Sequence, residues 1–291
     1  MAIANMTNQS DVPQISRVIS ALVAPAFVKQ PVAMGLIASQ DVPEGQNTST
    51  VGFQKEGSMT ADALAEATAR ALDANGKRQD TAVDVSASKV VVVSGLSLEN
   101  LKFNAINPQS YARSQASAIA RYVDDEILAE FSDFTQTVNA GGTMTIDALE
   151  VAANLIITAK VPNPQAQLQF IGTPKAMLHI KNDIRTSSSP MYSNEKFLSV
   201  FNGNPLPNGY YGNIPGIDLY QTSGFAASGA QSVQGLFHPE WAIAGIFDKG
   251  IQTMNESKGG TSGLYTEITS YYFYGVGVWN DLAGASITLD A

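Results

Sequence analysis

The sequence predicts a mixed α+β fold in which one long helix precedes a late antiparallel sheet. Between Pro108 and Phe134, the residues Ile119, Val123, Ile127, Phe131 and Phe134 recur at helical spacing on one face, while Arg113, Arg121, Asp124, Glu130 and Asp133 fall elsewhere. Beyond Leu236, runs of β-branched and aromatic residues such as Glu267 to Val278 (EITSYYFYGVGV) are separated by turn residues. A third observation concerns the surface. Hydrophobic residues make up 44% of the 291, enough for a core, but charged residues only 15%. An average soluble chain has about 25%. So little charge implies that much of the surface meets other protein, because interface cores are depleted in charge.

Met1 to about Thr50 carry no long period and are punctuated by Pro13, Pro25, Pro31 and Pro43. The segment is too apolar for a disordered tail and too proline-broken for a helix, so an extended arm lying on a surface is expected. Its apolar run Ile19 to Val28 does not read as a signal peptide. Asp11 and Arg17 precede it, Pro25 interrupts it, and it has no basic flank.

Val51 to Glu56 alternates like a strand, Thr60 to Gly76 has a cap, an Ala/Leu body and a terminating glycine, and Val83 to Val93 reads as a second strand. Two strands around a long excursion make a ribbon. Because such a ribbon is marginal in water, it is expected to be braced from outside its own domain. Asn107 and Pro108 then open the long helix, about 40 Å at ~1.5 Å per residue.

Gly141 and Gly142 turn the chain into a helix from Ile146 to Ala159, capped by Thr145 and stopped by VPNP. Leu168 to Ile171 is a strand, and Thr173 and Pro174 start another helix. From Thr186 to Gly229 the chain is rich in Ser, Asn, Pro and Gly. Within it, Tyr210 to Tyr220 reads as a turn and a strand. Leu236 to Phe247 and Ile251 to Ser257 read as strands about the turn Asp248–Lys249–Gly250, and Ala285 to Leu289 as the last strand.

Chemistry is sparse. The formal net charge of −9 disfavours a basic nucleic-acid-binding module, though not a container whose DNA is neutralised by small cations. Without cysteine there is neither a disulfide framework nor a thiolate metal site, which suits synthesis in the cytosol. No apolar run reaches the roughly 18 residues of a membrane span.

Ser262–Gly263 does not complete a nucleophile elbow, and Gly76–Lys77–Arg78 lacks the other residues of a P-loop. Asn280 stands where a third glycine would follow Gly275 and Gly277, so these glycines are expected to admit close backbone packing. His179 and His238 read as structural. Asp124, Asp125 and Glu126 point to different helix faces and do not read as a metal site. Four glycosylation acceptors, at Asn5, Asn8, Asn47 and Asn255, carry no meaning without secretion. No catalytic, cofactor or metal residue is therefore assigned.

The order of these parts resembles the major capsid proteins of tailed double-stranded-DNA bacteriophages, the Hong Kong 97-type family, over nearly the whole chain. FQKEG, ADALAEATA and VDVSASKVVVVSGLSLENL resemble the family's extended loop, and Tyr111 to Phe134 its spine helix. IGTPKAMLHIKND and GNIPGIDLYQTSGF resemble parts of its axial domain. WAIAGIFDKGIQTMNES and YYFYGVGVWNDLAGASITL resemble the closing strands of its peripheral sheet. The helix-like stretch Thr60 to Ala74 departs from the usual loop tip.

The resemblance implies an N-terminal arm at 1–50, an extended loop at 51–95, a peripheral domain with the spine helix at 96–145, an axial domain at 146–235 and closing peripheral strands at 236–291. It implies a non-enzymatic subunit that assembles with itself into pentamers and hexamers of an icosahedral virion shell in the host bacterial cytoplasm. The shell would enclose double-stranded DNA without sequence specificity, alongside portal, cement or separate scaffolding proteins, and would need no cofactor and no membrane.

Phe53, Lys55, Glu56, Lys77, Arg78, Arg113, Arg121, Asp124, Glu130, Tyr210 and Tyr211 are the expected inter-subunit contacts. The arm around Val18 to Ile37 is expected on an adjacent subunit, and Ser187 to Gly224 at the ring centre. Some relatives join a loop lysine to a sheet asparagine, for which Lys55, Lys77 and Asn280 are the residue types present. The alternatives are an encapsulin-type nanocompartment shell and, from another class, a soluble hydrolase or binding module.

Overall fold

The computed structural model describes residues 12–27, 31–41, 50–54, 82–86, 88–97, 108–159, 166–186, 209–222, 231–248, 250–260 and 263–290. Its axis is α2 (Pro108–Ala129), continued by a 3-10 turn, Glu130–Asp133. The expected stripe is the buried one: Ile119, Val123, Ile127 and Phe131 are fully enclosed, and Ala112, Ala116 and Ala120 extend it toward the N-terminus. The small residues let neighbouring elements approach closely at that end, and the phenylalanines fill the other.

Two sheets flank this axis. In the first, β1 (Ala38–Asp41) pairs with β10 (Ile243–Phe247), which pairs with β12 (Gly263–Val278). β11 (Gln252–Gly260) and β4 (Ser88–Ser97) pair with the same stretch of β12, so they lie on its opposite edges. A separate ribbon is formed by β2 (Thr50–Gln54) and β3 (Ala82–Ser86). The expected strand 83–93 is thus two: β3 in the ribbon and β4 in the sheet.

The second sheet is built from β5 (Gln136–Gly141), β6 (Leu168–Gly172), β7 (Tyr210–Ile214), β8 (Ile217–Gln221), β9 (Gln231–Phe237) and β13 (Gly284–Asp290), in the order β5-β13-β9-β6-β8-β7. Helices α3 (Ile146–Thr158) and α4 (Pro174–Thr186) accompany it. The Thr145 cap is present, its hydroxyl accepting from the Ala148 N–H at 3.3 Å. The stretch 210–220 is a hairpin, with Gly216 at φ +84° in its turn.

The run Leu236 to Phe247, expected as one strand, is broken at His238–Pro239 into β9 and β10, which belong to different sheets. The buried His238 explains the break. Its Nδ1 accepts from the Glu240 N–H at 3.2 Å, turning the chain out of one sheet and into the other. β13 and β9 also join strands from both sides of the boundary placed at 235/236.

Residues 12–27 overturn another expectation, for they form a helix, α1, with Pro25 inside it. Pro13 falls in the first turn, where a missing N–H costs nothing. An interior proline costs ~3 kcal/mol, less near a helix end. Burying Ile19 and Val23, four residues apart and both 0% exposed, returns about 1.5–3 kcal/mol each. Tertiary packing therefore outweighs the proline. Within its own chain, α1 packs on α2.

Candidate interaction surface

Along β12 the side chains alternate. Ile268, Ser270, Tyr272 and Tyr274 are buried toward the spine, and the odd-numbered residues face the other way. The inner face is pinned by polar contacts. Gln115 of α2 accepts from the Ser270 hydroxyl at 3.0 Å and donates to the Ser94 hydroxyl, while the Tyr272 hydroxyl donates to the Asp248 carbonyl at 3.1 Å. Burial pushes the Tyr272 phenol well above its usual range.

The outer face has two halves. At the C-terminal half of β12 the ribbon lies across the sheet: Phe53 and Val85 are buried against Ala244 and Ile246, with Val51 and Trp279 alongside. Phe53 stands 5.7 Å from the Trp279 ring, and Trp279 4.9 Å from Trp241. Val85 lies over Gly277, where a Cβ would meet its methyl in ordinary contact at 3.5 Å. The chain's own ribbon packs over this glycine-interrupted stretch, but at Gly277 the contact leaves room for a side chain. The root of the ribbon is thus braced from within.

The other half is open among the described residues. Val93, Thr269 and Met254 form one row across the strands, and Val91, Tyr271 and Gln252 the next. Val91 is 44% exposed, Val93 55% and Met254 61%. Tyr271 and Phe273 pack edge-on beside them at 5.8 Å. Val91, Val93 and Met254 with Tyr271 and Phe273 leave this half-face largely apolar, with Thr269 and Gln252 between and beside them. β4 begins at Ser88, opposite Tyr274, one residue after β3, and the described strands of the ribbon lie over the other half of β12.

The expected contact residues scatter. Phe53 and Asp124 are buried within this chain, Phe53 in the ribbon seat and Asp124 under residues 32 and 33. Arg113 and Arg121 are exposed on α2. Glu130 is half-buried, its carboxyl raised first by burial and then by Asp133. Tyr210 and Tyr211 are half-buried on β7 in the other sheet, with Tyr210 packed 5.5 Å from Tyr220. Lys55, Glu56, Lys77 and Arg78, the helix expected at 60–74 and most of 187–224 lie outside the described residues.

Asn280 is 7% exposed, and its side-chain oxygen accepts from the Leu282 N–H at 3.3 Å. Both histidines bind backbone N–H groups, His179 that of Met144 at 3.3 Å. Among the described residues no cluster of His, Asp and Glu could hold a metal, and no helix is long and apolar enough to cross a membrane. Sequence reasoning missed the open half-face. Four consecutive valines, Val90 to Val93, show no alternation from which a face could be read.

No family model and no curated protein matches the chain. Solved structures do. A structure of Mycobacterium phage Che8 aligns with TM-score 0.64 at 16% identity, over 89% of this chain and 91% of that one. The mature capsid of bacteriophage PhiM1 aligns with TM-score 0.62 at 10% identity, over 89% and 87%. The SrpI encapsulin complex from Synechococcus elongatus aligns with TM-score 0.60 at 14% identity, over 99% and 93%. The fold is that of the Hong Kong 97-type capsids, as the order of sequence patterns implied.

Proposed function

We propose that this chain, with its Hong Kong 97-type fold, is the major capsid protein of a tailed double-stranded-DNA bacteriophage and not an enzyme. Copies join head to tail, the rings of five and six tile an icosahedral shell, and the shell encloses the genome. The observation that carries the reading is the open apolar half-face of Val91, Val93 and Met254 in a chain of this fold. Residues 55–81 of a neighbouring copy are its occupant, because the described strands of the chain's own ribbon lie over the other half of β12. Arg113, Arg121 and the tyrosines of β7 serve as further contacts. Portal, cement or scaffolding proteins complete the particle in the host cytoplasm. Many modest contacts acting together make such a shell kinetically stable.

A second reading has one specific observation in its favour. The encapsulin alignment spans 99% of this chain, against 89% for the phage structures above. On that reading the shell holds protein cargo and no genome. Negative-stain imaging of the expressed protein tests the shell itself: closed particles are expected, and a monomer at high concentration rejects both readings. Nuclease-protected DNA in particles purified from the native source supports the capsid. Particles that hold enzyme and no DNA support the encapsulin.

A further inference from the structure

The two helices on the second sheet carry exposed faces of opposite charge. On α3, Asp147, Val151 and Leu155 follow one another at four-residue spacing and so share one side of the helix, with Glu150 beside them. Val151 is 51% exposed and Leu155 37%, and both acids are exposed. No basic residue occurs in α3. On α4, Leu178 is 54% exposed, with Lys175 three residues before it and Lys181 three after it. Lys175 is exposed, its Nζ donating to the Asp290 carbonyl at 3.0 Å, and Lys181 is half-buried. One face is thus apolar with an acidic border, and the other apolar with a basic border.

Within one copy these faces do not meet. α4 turns His179 and Asp183 toward α3, where they accept from the Met144 and Ile146 N–H groups. Lys181 is two residues from each of them, about 200° around the helix. Leu178 lies one turn from Lys181, so the basic face of α4 looks away from α3 of its own chain. Only another copy can bring an acidic α3 face to it.

We propose that the face of Asp147, Val151 and Leu155 on one copy docks on the face of Lys175, Leu178 and Lys181 on the next, and that this contact sets the direction of the ring.

The proposal rests on the head-to-tail joining given above and names the surfaces that join. It is a second interface, on the other sheet from the open half-face of β12. The two faces differ, so the contact is heterologous: each copy uses one face on either side, and the series ends only by closing. Val151, Leu155 and Leu178 supply the apolar centre and the charges its rim. Acid against acid, or base against base, repels, which disfavours α3 on α3 and α4 on α4.

The chain contains no cysteine, so introduced thiols report single contacts. Full-length copies carrying Leu155→Cys are co-expressed with differently tagged full-length copies carrying Leu178→Cys, and the assemblies are treated with a short bismaleimide. A covalent dimer bearing both tags is expected on a denaturing gel, and neither variant expressed alone should give one. Dimers from either variant alone would show that like faces meet, and overturn the proposal, as would particles that yield no mixed dimer. Adding Asp147→Lys and Glu150→Lys to the Leu155→Cys copies should reduce the mixed dimer roughly tenfold or more. Lys175→Glu and Lys181→Glu in the Leu178→Cys copies should then restore it, which also shows that the first variant is folded. A band indifferent to the reversal, or one that the second pair fails to restore, overturns the proposal. Mixed dimers in assemblies that never close into particles would keep this contact and remove the shell, whereas a chain that stays monomeric removes both.

Discussion

Phe134 fills the space that a side chain at Gly284 would need: a Cβ built on Gly284 would lie 2.3 Å from the ring. Phe131 does the same to Gly235, at 2.6 Å. The two rings stack at 6.0 Å, and Phe131 also meets Phe237 at 5.5 Å. The C-terminal end of the spine is therefore set flat against β9 and β13, and the adjoining turn also touches β12 of the first sheet. Bare backbone at Gly235 and Gly284 is what brings the spine down onto the second sheet.

Replacing Gly284 by alanine forces Phe134 or the strand to move. Overpacking of this kind costs about 1–3 kcal/mol, and the urea midpoint of dissociated subunits should fall accordingly. Gly277→Ala is the matched control, because its Cβ would meet Val85 at an ordinary 3.5 Å. Equal midpoints for the two variants would show that the spine is not seated as described.

Phe53 is 4% exposed and anchors a ribbon of only two strands. Truncating a buried phenylalanine costs about 3–5 kcal/mol, more than an isolated ribbon can absorb. In Phe53→Ala the ribbon should lift from the sheet while the body keeps its melting temperature. Tryptophan emission should shift to the red as Trp279 meets water. Sedimentation should show subunits in place of particles. Normal particles from this variant would mean that the ribbon's seat is irrelevant to assembly.

These elements were unequally legible. The spine is plain in the sequence because its 3.6-residue period runs unbroken from Ile119 to Phe131. Gly275 and Gly277 suggested a close approach of backbone; the ribbon lies there, but over Gly277 at ordinary contact distance. Helix α1 was hidden, since the proline penalty is local and visible while the burial of Ile19 and Val23 is tertiary and is not. The split between β9 and β10 was hidden for a similar reason. An apolar run continues through His238, and only the folded chain shows that its imidazole turns the backbone from one sheet to the next. Asp124 read as one of three surface acids because helical spacing gives a face but not what covers it.

The start of α3 gives a prediction in which side chains from another helix replace missing backbone partners. Asp183 Oδ2 accepts from the Ile146 N–H at 2.9 Å, and His179 Nδ1 from the Met144 N–H at 3.3 Å. The two lie four apart on one face of α4. Together with Thr145 they close the N-terminus of α3, which packs on β5, β13 and β9. Losing such a cap costs about 0.5–2 kcal/mol. Asp183→Ala should lower the denaturation midpoint by that amount, and Asp183→Asn, which keeps an acceptor, should recover part of it. Thr145→Ala combined with Asp183→Ala should depart from the sum of the single variants, because both side chains serve one helix end. Strict additivity, or an Asn variant no better than Ala, would show that the cap is not shared between the two helices.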